Sequence, residues 1–455
     1  MKRFLVPAMG ALLMLLVAHS AFGQAAKTLT LQGSIDLALE KNISVTQARN
    51  TLEAQQSAKH AAVGAMLPSL DLTGSFSRTH SWSSQQAGVI FYKGIPIPVA
   101  AGTDFHANNS FSTGVSSQVT LFNGFANTSR VSQAQSSAAA ADFTLDRTQQ
   151  TTINTTVQLY LGVVRTFQLL KVNEDNLKRS EKQLDRITES NKVGAVAVAD
   201  VYRQKVQVGS DELALIQAQS AHEKAKADLV AYLGIDFDQE YKFDFAGIPD
   251  NIDTTEFAAV NAKYTNFENL YKSAIEKRPD YQASIENLNA ADAGISMARS
   301  GYFPSLSLTG SYGYNNSELS TLTDNRNFFF GFDISMPIFS GFRTQDQVEQ
   351  AQVARRNADE QLKQAQRQVR VDIRKALLDL ESAEKQVTVT QTSVQSAEMD
   401  RKIAEEKYNL GSGTLLDLLV ATANYTTTVS NKVNAVILYL QAKKQTEYTL
   451  GTLSK

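Results

Sequence analysis

Four stretches of the chain alternate apolar and polar residues with a period of two. In the first of them, Leu70 and Leu72 alternate with Asp71 and Thr73, so that one face is apolar and the other is polar. This spacing is typical of a β-strand whose two faces meet different surroundings. The pattern therefore predicts two β-hairpins. Their four strands lie at residues 70–76 and 111–121 in the first half of the chain, and at 306–314 and 328–338 in the second.

The connections within the two hairpins are predicted to differ in length. Residues 79–107 of the first hairpin are predicted to form a long loop that carries Trp82, Phe91 and Tyr92. Residues 315–326 of the second hairpin are predicted to form a short, polar connection. Long connections on one side and tight ones on the other are typical of outer-membrane strands. Four strands cannot close a transmembrane barrel, since about eight is the smallest number seen. Several chains must therefore combine.

Two long runs of helix-favouring composition occupy residues 124–194 and 341–411. At 1.5 Å per residue, each run corresponds to roughly 105 Å of helix. A helix of that length needs a coiled-coil neighbour, and Ile373, Leu380 and Val387 recur every seven residues in the second run. The helix that returns after each run is predicted to supply that neighbour.

A shorter helix is predicted near the start of the mature chain. Ser34 is a plausible N-cap for it, and the helix is predicted to run to about Gly64. Residues 269–278 repeat the start of this helix in the second half. Both helices lead into a proline, Pro68 or Pro304, that precedes the first strand of each hairpin.

Each long helical run ends in a turn that contains glycine. In YNLGSGTLLDLL, at residues 408–419, Gly411 and Gly413 are predicted to supply the positive φ values that end one helix, and Thr414 is predicted to cap the next. NKVGAVAVADVY, at residues 191–202, has the same construction. Both segments are therefore predicted to be the tips of helical hairpins.

The chain is an internal duplication. One offset of 217 residues pairs Gly194 with Gly411 and Asp200 with Asp417, and it also aligns the motif FNGF with FSGF. An offset of 236 residues aligns PSLDLTGS with PSLSLTGS. Two like halves follow from these matches. The predicted organisation is a signal peptide at 1–23, a first repeat at 24–235, a partly helical linker at 236–266 and a second repeat at 267–455.

The first residues and the charge balance narrow the class of protein. Lys2 and Arg3, a short apolar run, and small residues at Ala21 and Gly23 predict a cleaved secretory signal. Without Lys2 and Arg3, 42 basic residues remain against 46 acidic ones, a net charge of −4, so binding to nucleic acid is not expected. The chain has no cysteine, which excludes disulfides and a zinc site built on sulfur.

Enzymatic chemistry has little support in the sequence. The motif GSGT at residues 411–414 lacks both the preceding strand and the Gly-Lys-Ser/Thr ending of a phosphate-binding loop. The histidines show no paired metal-ligand spacing, and a lone histidine is usually structural or exposed. The five histidines are His19, His60, His80, His106 and His222. No enzyme activity, metal or cofactor is therefore expected.

The chain resembles the TolC outer-membrane efflux family over nearly all of the mature sequence. The resemblance rests on LALEKN near the start, the two PSLxLTGS strands, the FNGF and FSGF turns, and the VG and LG tips, each with an aspartate six residues after its glycine. It implies a mixed α/β membrane protein that forms a homotrimer. Three chains would contribute four strands each to a 12-stranded transmembrane β-barrel, continued by long coiled-coil helices as a periplasmic α-barrel.

The resemblance also implies a function. Members of the family are exit ducts in the outer membrane of Gram-negative bacteria and extend into the periplasm. The duct would receive substrates from an inner-membrane RND or ABC-type pump through a periplasmic adaptor (membrane fusion) protein, in efflux or type I secretion. An exported coiled-coil structural or adhesive protein without conduction is the alternative. The four two-faced strands favour the duct, because a fibre would not need them.

The resemblance implies a closed entrance at the helical tips. Asp417 would form a ring of like charges around the threefold axis, and Tyr408 and Asp200 would make closing contacts between hairpins. Two positions depart from the family pattern, since Gly413 replaces an arginine and Val420 a second ring aspartate. Asp417 could instead be a solvated aspartate of a first helical turn, and Tyr408 an aromatic residue packed at a helix end.

The hairpin tips also match the positions where the adaptor docks in the family. They could equally be simple turns that serve only to reverse the chain, and both roles are compatible. The predicted docking residues are Val193, Gly194, Leu410, Gly411, Ser412, Gly413 and Thr414.

Overall fold

The computed structural model describes residues 27–237, 241–253 and 255–453, so the predicted signal peptide lies outside the described residues. The strands are β1 Lys27–Leu29, β2 Asp71–Gln85, β3 Gly88–Tyr92, β4 Ile95–Val99, β5 Gly102–Asn123, β6 Tyr241–Phe243, β7 Ser305–Asn316 and β8 Arg326–Ser335. The α-helices are α1 Leu31–Lys41, α2 Ile43–Gly64, α3 Ala126–Lys192, α4 Val198–Leu233, α5 Thr255–Lys263, α6 Phe267–Lys277, α7 Pro279–Arg299, α8 Arg343–Asn409 and α9 Leu415–Thr449. Two short 3₁₀-helices lie at Ser300–Tyr302 and Leu319–Asp324.

The chain divides into two compact units, each built from segments of both sequence halves. Of the described residues, those in 27–50, 143–281 and 365–453 form unit 1, and Thr51–Asp142 and Gln282–Gln364 form unit 2.

A four-stranded antiparallel sheet in unit 2 has the strand order β2-β5-β7-β8. The four predicted strands are confirmed, and β5 pairs with β7, so the sheet joins the two sequence halves. Many of its apolar side chains are exposed in the single chain, including Leu72 at 80% and Phe328 at 77%. A water-soluble sheet would cover such a face, whereas strands that contact lipid leave it open.

The long loop predicted at residues 79–107 is instead mostly β-structure. Strands β2 and β5 stay paired as far as Gln85 opposite Gly102, and β3 and β4 form a further hairpin. The two residues between β3 and β4, Lys93 and Gly94, both have positive φ, as a tight two-residue hairpin turn requires. Lysine is an uncommon residue in the first of these positions, so the turn escaped prediction from the sequence.

The long helices confirm the predicted helical runs to within two residues at each end. Helices α3 and α8 have 67 residues each, and α4 and α9 return after them with 36 and 35 residues. The heptad residues Ile373, Leu380 and Val387 are buried. None of the helices in the described part of the chain combines enough length with enough apolar character to traverse a membrane.

The segment 236–266, predicted as a linker between repeats, helps to form the core of unit 1. Its strand β6 pairs in parallel with β1, and its helix α5 covers part of α8 and α9. Ile252 and Phe257 are buried there, and the Phe257 ring lies 5.0 Å from the ring of Tyr439. This stretch is therefore partly helical, as predicted, and contributes to packing.

The helix predicted from Ser34 to Gly64 begins earlier and is interrupted. Its N-cap is Thr30, whose side chain accepts a hydrogen bond from the Gly33 N–H, while Ser34 is buried one turn later. Asn42, with ψ at 132°, separates α1 from α2. The Asn42 amide donates to the carbonyl of Tyr232 at the end of α4, and its Oδ1 accepts from the Ser44 N–H.

The second half of the chain has an equivalent junction between two helices, with a different residue at the break. Arg278 separates α6 from α7 and donates to the carbonyl of Thr449 at the end of α9. The offsets of 236 and 217 residues relate Arg278 to Asn42 and Thr449 to Tyr232. Both junctions thus tie a helix break to the end of a returning helix.

Candidate functional site

The two hairpin tips of unit 1 use the turn geometry predicted from their glycines. Gly194 and Gly411 have φ values of 78° and 72°, in the left-handed region that glycine tolerates best. In each tip the residue after this glycine donates its N–H to a carbonyl five residues back, at 2.9 Å in both cases. This hydrogen bond is typical of a helix that ends in a left-handed glycine.

Gly413 does not have the positive φ that was predicted for it, and it is needed for a different reason. A Cβ atom at this position would lie 3.0 Å from the Lys407 Cβ and 3.3 Å from the Lys407 carbonyl carbon. The Gly413 N–H also donates to the Lys407 carbonyl at 3.0 Å. The absence of a side chain therefore lets the turn approach the end of α8.

Asp417 and Thr414 cap the start of α9 reciprocally. The Asp417 N–H donates to Thr414 Oγ1 at 3.2 Å, and the Asp417 carboxylate accepts from the Thr414 N–H at 3.1 Å and from its hydroxyl at 2.7 Å. These hydrogen bonds hold the pKa of Asp417 below its usual range. Asp417 is therefore an ionised first-turn aspartate, exposed at the tip.

The twin tip lacks this cap. Ala197 occupies the position equivalent to Thr414 and offers no side-chain acceptor. Asp200, the twin of Asp417, instead accepts a hydrogen bond from Arg203 at 2.6 Å, one turn further along α4. The two aspartates that the duplication aligns thus have different partners.

The cap leads to a prediction about local opening of the tip. Thr414→Ala should destabilise the start of α9 by about 1 kcal/mol, because the Asp417 N–H in the first turn loses its acceptor. Hydrogen exchange of the Asp417 amide should then accelerate roughly fivefold. Ala197→Thr is the matched variant, and it should slow exchange at Asp200 by completing the same motif. Unchanged exchange in both variants would contradict the assigned cap.

The Tyr408 side chain packs at the second tip without a hydrogen bond. It contacts the apolar cluster that contains Ile187, Val201 and Leu415, and its hydroxyl has no hydrogen-bond partner among the described residues. Burial, followed by the negative charge of Asp200, raises the pKa of Tyr408. The packed helix-end interpretation of Tyr408 therefore agrees with the structure.

The closing contact implied for Tyr408 and Asp200 is not formed in the single chain. Both residues line one cavity of about 1160 Å³ between the tips, together with Arg203. Asp200 accepts a charge-assisted hydrogen bond from Arg203, and the Tyr408 hydroxyl has no hydrogen-bond partner among the described residues. Asp417 does not line this cavity. Sequence reasoning missed Arg203, although its three-residue spacing from Asp200 is a helical pairing signal.

The predicted docking residues form two exposed turns. Val193 and Leu410 lie in corresponding positions, and 80% and 83% of their surfaces are exposed. Such bare apolar side chains at a polar helix end can serve as anchors for a partner protein. Within the described residues, no group of three or more potential ligands among histidine, cysteine, aspartate and glutamate could hold a metal ion.

The fold is that of outer-membrane channels. It resembles the Campylobacter jejuni CmeC outer membrane channel, with a TM-score of 0.76 and 21% identity, over 93% of this chain and 85% of that one. It also resembles the open state of the Neisseria gonorrhoeae MtrE outer membrane channel, with a TM-score of 0.72 and 20% identity, over 92% of this chain and 88% of that one.

The sequence relationship identifies the family. The model of the outer membrane efflux protein family matches residues 34–235 and 270–452, and the chain belongs to this family. Outer membrane protein TolC of Salmonella enteritidis is 26% identical over 70% of this chain and 65% of its own length. The chain thus aligns with slightly less than two thirds of that relative. Outer membrane efflux protein BepC of Brucella suis is 23% identical over 88% of this chain and 80% of its own length.

Family membership confirms the predicted fold class and location. The chain is an outer-membrane protein with a channel fold of long helices and a four-stranded sheet. Its relatives are channel proteins rather than enzymes, in agreement with the expectation from the sequence.

Proposed function

We propose that three copies of this chain form the exit duct of a tripartite efflux or type I secretion system. The observation that carries the proposal is the sheet of unit 2, in which β2 and β8 are outer strands and the apolar face is exposed. Unpaired strand edges are not tolerated in hydrocarbon. Pairing of β2 in one copy with β8 in the next satisfies both edges, and three copies give a 12-stranded barrel.

The proposed path follows from this assembly. Substrates would pass from an inner-membrane RND or ABC-type pump through a periplasmic adaptor into the duct and out of the cell. The exposed turns at Val193–Gly194 and 410–414 would dock the adaptor, and Val193 and Leu410 provide apolar anchors there. The energy for transport would come from the pump, because the sequence provides no motif for nucleotide hydrolysis.

The Asp417 carboxylates would form the entrance ring of the duct. Each is exposed and has a lowered pKa, so three of them would carry negative charge at neutral pH. Asp200 and Tyr408 would lie near this ring, with Arg203 as the partner of Asp200. Tyr408 would support the entrance through packing, since its hydroxyl makes no hydrogen bond within the described chain.

Conductance measurements test this proposal. A cation about 4 Å from one carboxylate gains about 1 kcal/mol in water, so Asp417→Asn should reduce the cation-over-anion permeability ratio at least roughly fivefold. Tyr408→Phe should leave conductance unchanged, because no hydrogen bond is lost. The control is Asp346→Asn. Asp346 lies in the first turn of α8, whereas the tip follows the last turn of that helix. Reversal potentials in planar bilayers measure the ratio.

The competing function makes a different prediction for the same material. An exported coiled-coil structural or adhesive protein can also be a trimer, because coiled coils form trimers, but it would show no conductance in lipid. If Asp417→Ala combined with Tyr408→Phe also failed to conduct, the duct would have to be abandoned. A trimer mass together with cation-selective current would exclude the structural alternative.

A further inference from the structure

The first β-hairpin of the unit 2 sheet extends beyond the second. Strand β5 pairs with β7 only as far as Phe111, which lies opposite Asn316 at the end of β7. Past this row, residues 77–85 of β2 remain paired with residues 102–110 of β5. This two-stranded extension, here called the arm, is roughly 30 Å long at about 3.3 Å per residue. Neither β7 nor β8 pairs with it.

The two faces of the arm differ in charge. Directly paired residues share one face of a sheet, and successive residues alternate between the faces. The apolar face of β2 holds its even-numbered residues from 72 to 84, and the odd-numbered residues of β5 from 103 to 115 lie opposite them. Arg78 is among these residues, and none of them is acidic. The aspartates of the two strands, Asp71 and Asp104, lie on the other face, so the face with Arg78 is positively charged.

Three aromatic rings cluster on this face of the arm. Trp82 lies opposite Phe105 with their ring centroids 5.5 Å apart, and the His80 ring lies 5.3 Å from the ring of Phe105. Trp82 is 68% exposed and Phe105 is 54% exposed. Arg78 and Asn109, which are paired across the two strands, border the cluster. An exposed apolar surface with a polar rim is typical of an interaction site.

In the proposed barrel, this cluster lies outside the hydrocarbon. The apolar face of the second hairpin continues from Phe328 to Ile338, roughly 33 Å along the chain, and a strand tilt of about 40° makes this the whole apolar band of about 25 Å. The row of paired residues that contains Phe328 reaches β2 at Leu72. Trp82 lies roughly 33 Å further along β2, or about 25 Å along the barrel axis, and the slope of the row across three strands changes this height by only about 9 Å. The cluster is therefore on the exterior side of the membrane.

Saccharides fit the chemistry of this surface. The C–H groups of a sugar ring pack against the negative faces of aromatic rings such as those of Trp82 and Phe105. Sugar hydroxyls exchange hydrogen bonds with an amide such as that of Asn109, and the Arg78 guanidinium matches phosphate or carboxylate substituents. Because the cluster continues the face that contacts lipid, the molecules next to it are the headgroups of the outer leaflet. We propose that the arm binds the saccharide headgroup of an anionic glycolipid in this leaflet.

Fluorescence of Trp82 tests this inference, because Trp82 is the only tryptophan in the chain. The full chain is placed in phosphatidylcholine vesicles that contain either lipopolysaccharide with its core saccharide or lipid A without that saccharide. The core saccharide should shift the Trp82 emission to shorter wavelengths and reduce its quenching by acrylamide, because sugar rings cover the indole. Lipid A should do neither, because its smaller headgroup does not reach the cluster.

Variants that keep the tryptophan assign the binding to this face. Phe105→Ala and Arg78→Gln should each raise the lipopolysaccharide content at half-maximal emission shift at least about threefold, because one loses a stacking surface and the other a charge-assisted hydrogen bond. The matched control is Phe91→Ala, which removes a phenylalanine that is 72% exposed in β3, outside the cluster. It should leave the half-maximal content unchanged, and an equal change in this variant would overturn the assignment.

Three other results would also overturn the inference. Quenching of Trp82 by phosphatidylcholine with brominated acyl chains would place the cluster in the hydrocarbon, as part of the lipid face. Protection from acrylamide without any glycolipid would show that a second copy of the chain covers the cluster. Equal effects of lipid A and of the complete lipopolysaccharide would exclude the core saccharide as the ligand.

Conductance of the same vesicles separates this inference from the proposed duct on which it rests. If the vesicles conduct and the core saccharide has no effect on Trp82, the inference fails and the duct stands. If the vesicles do not conduct, the duct is rejected and the inference with it.

Discussion

Gly124→Ala should be among the most disruptive single-methyl additions in this chain, whereas Gly341→Ala should be tolerated much better. The two glycines are twins in the FNGF and FSGF turns, and both have positive φ, at 64° and 60°. The backbone strain of about 1–2 kcal/mol is therefore common to both substitutions. The difference lies in the space around the added methyl group.

A Cβ at Gly124 would lie 2.7 Å from the Phe303 Cβ and 2.7 Å from the Ser300 carbonyl oxygen, while a Cβ at Gly341 meets no atom within 4 Å. Overpacking of this kind typically costs about 1–3 kcal/mol more. Urea unfolding followed by circular dichroism, or the yield in the membrane fraction if Gly124→Ala is too unstable to purify, measures the difference. Equal effects of the two substitutions would show that the turn of unit 2 is not closely packed.

This asymmetry illustrates what the duplicated sequence could and could not predict. The left-handed glycines Gly194 and Gly411 and the ends of α3 and α8 follow from local periodicity, and the helix ends were predicted to within two residues. The four strands were also predicted, but β2 and β5 extend further into the first hairpin than their sequence pattern indicated. Contacts that differ between the twin turns depend on which segment packs against each. The short helix Ser300–Tyr302 covers the first turn, and no local pattern around Gly124 reveals that neighbour.

The helix interruptions could not be predicted from the sequence either, because they also depend on distant contacts. The break at Asn42 was not predicted, because its neighbours favour helix and the amide is held by the carbonyl of Tyr232, almost two hundred residues away. In the second half Arg278 has the equivalent role. Asparagine and arginine share little in composition or propensity, but both carry N–H donors, which is the property that the junction requires.

The candidate site was predictable only in part. Gly411, Thr414 and Asp417 lie within seven residues, so the turn and the cap follow from local chemistry. The pairing of Asp200 with Arg203 had a local signal that was overlooked. The cavity between the tips could not be found from the sequence, because it depends on how the ends of four helices meet.

Arg278→Ala should destabilise unit 1 by about 3 kcal/mol. This value is the lower end of the range expected when one partner of a buried ionic network is removed. Only 3% of the Arg278 side chain is exposed. It donates to Asp280 at 2.6 Å and to Asp372 at 3.2 Å, and it also binds the end of α9. We choose the lower end because both carboxylates keep about a third of their surface in solvent.

The pH dependence of this loss provides a second test. Burial alone would raise the pKa of Asp280, but hydrogen bonds from Arg278 and the charge of Arg147 outweigh it and hold that pKa below its usual range. A carboxyl group with a lowered pKa stabilises the folded chain above its unfolded pKa of about 4, and the stabilisation disappears as the pH falls through the folded value. The difference between the unmodified chain and Arg278→Ala should therefore shrink below about pH 4.

Urea unfolding at pH 7 and at pH 3 measures both effects of Arg278→Ala. The control is Arg355→Ala, which removes an exposed pair with Asp292 in unit 2 and should cost at most about 1 kcal/mol. If Arg278→Ala lowers the free energy of unfolding no more than Arg355→Ala does, the junction between α6 and α7 is held by apolar packing alone. If Arg278→Ala lowers the free energy of unfolding by the same large amount at both pH values, the hydrogen bond with the Thr449 carbonyl is the main source of this stability, because a backbone carbonyl does not titrate.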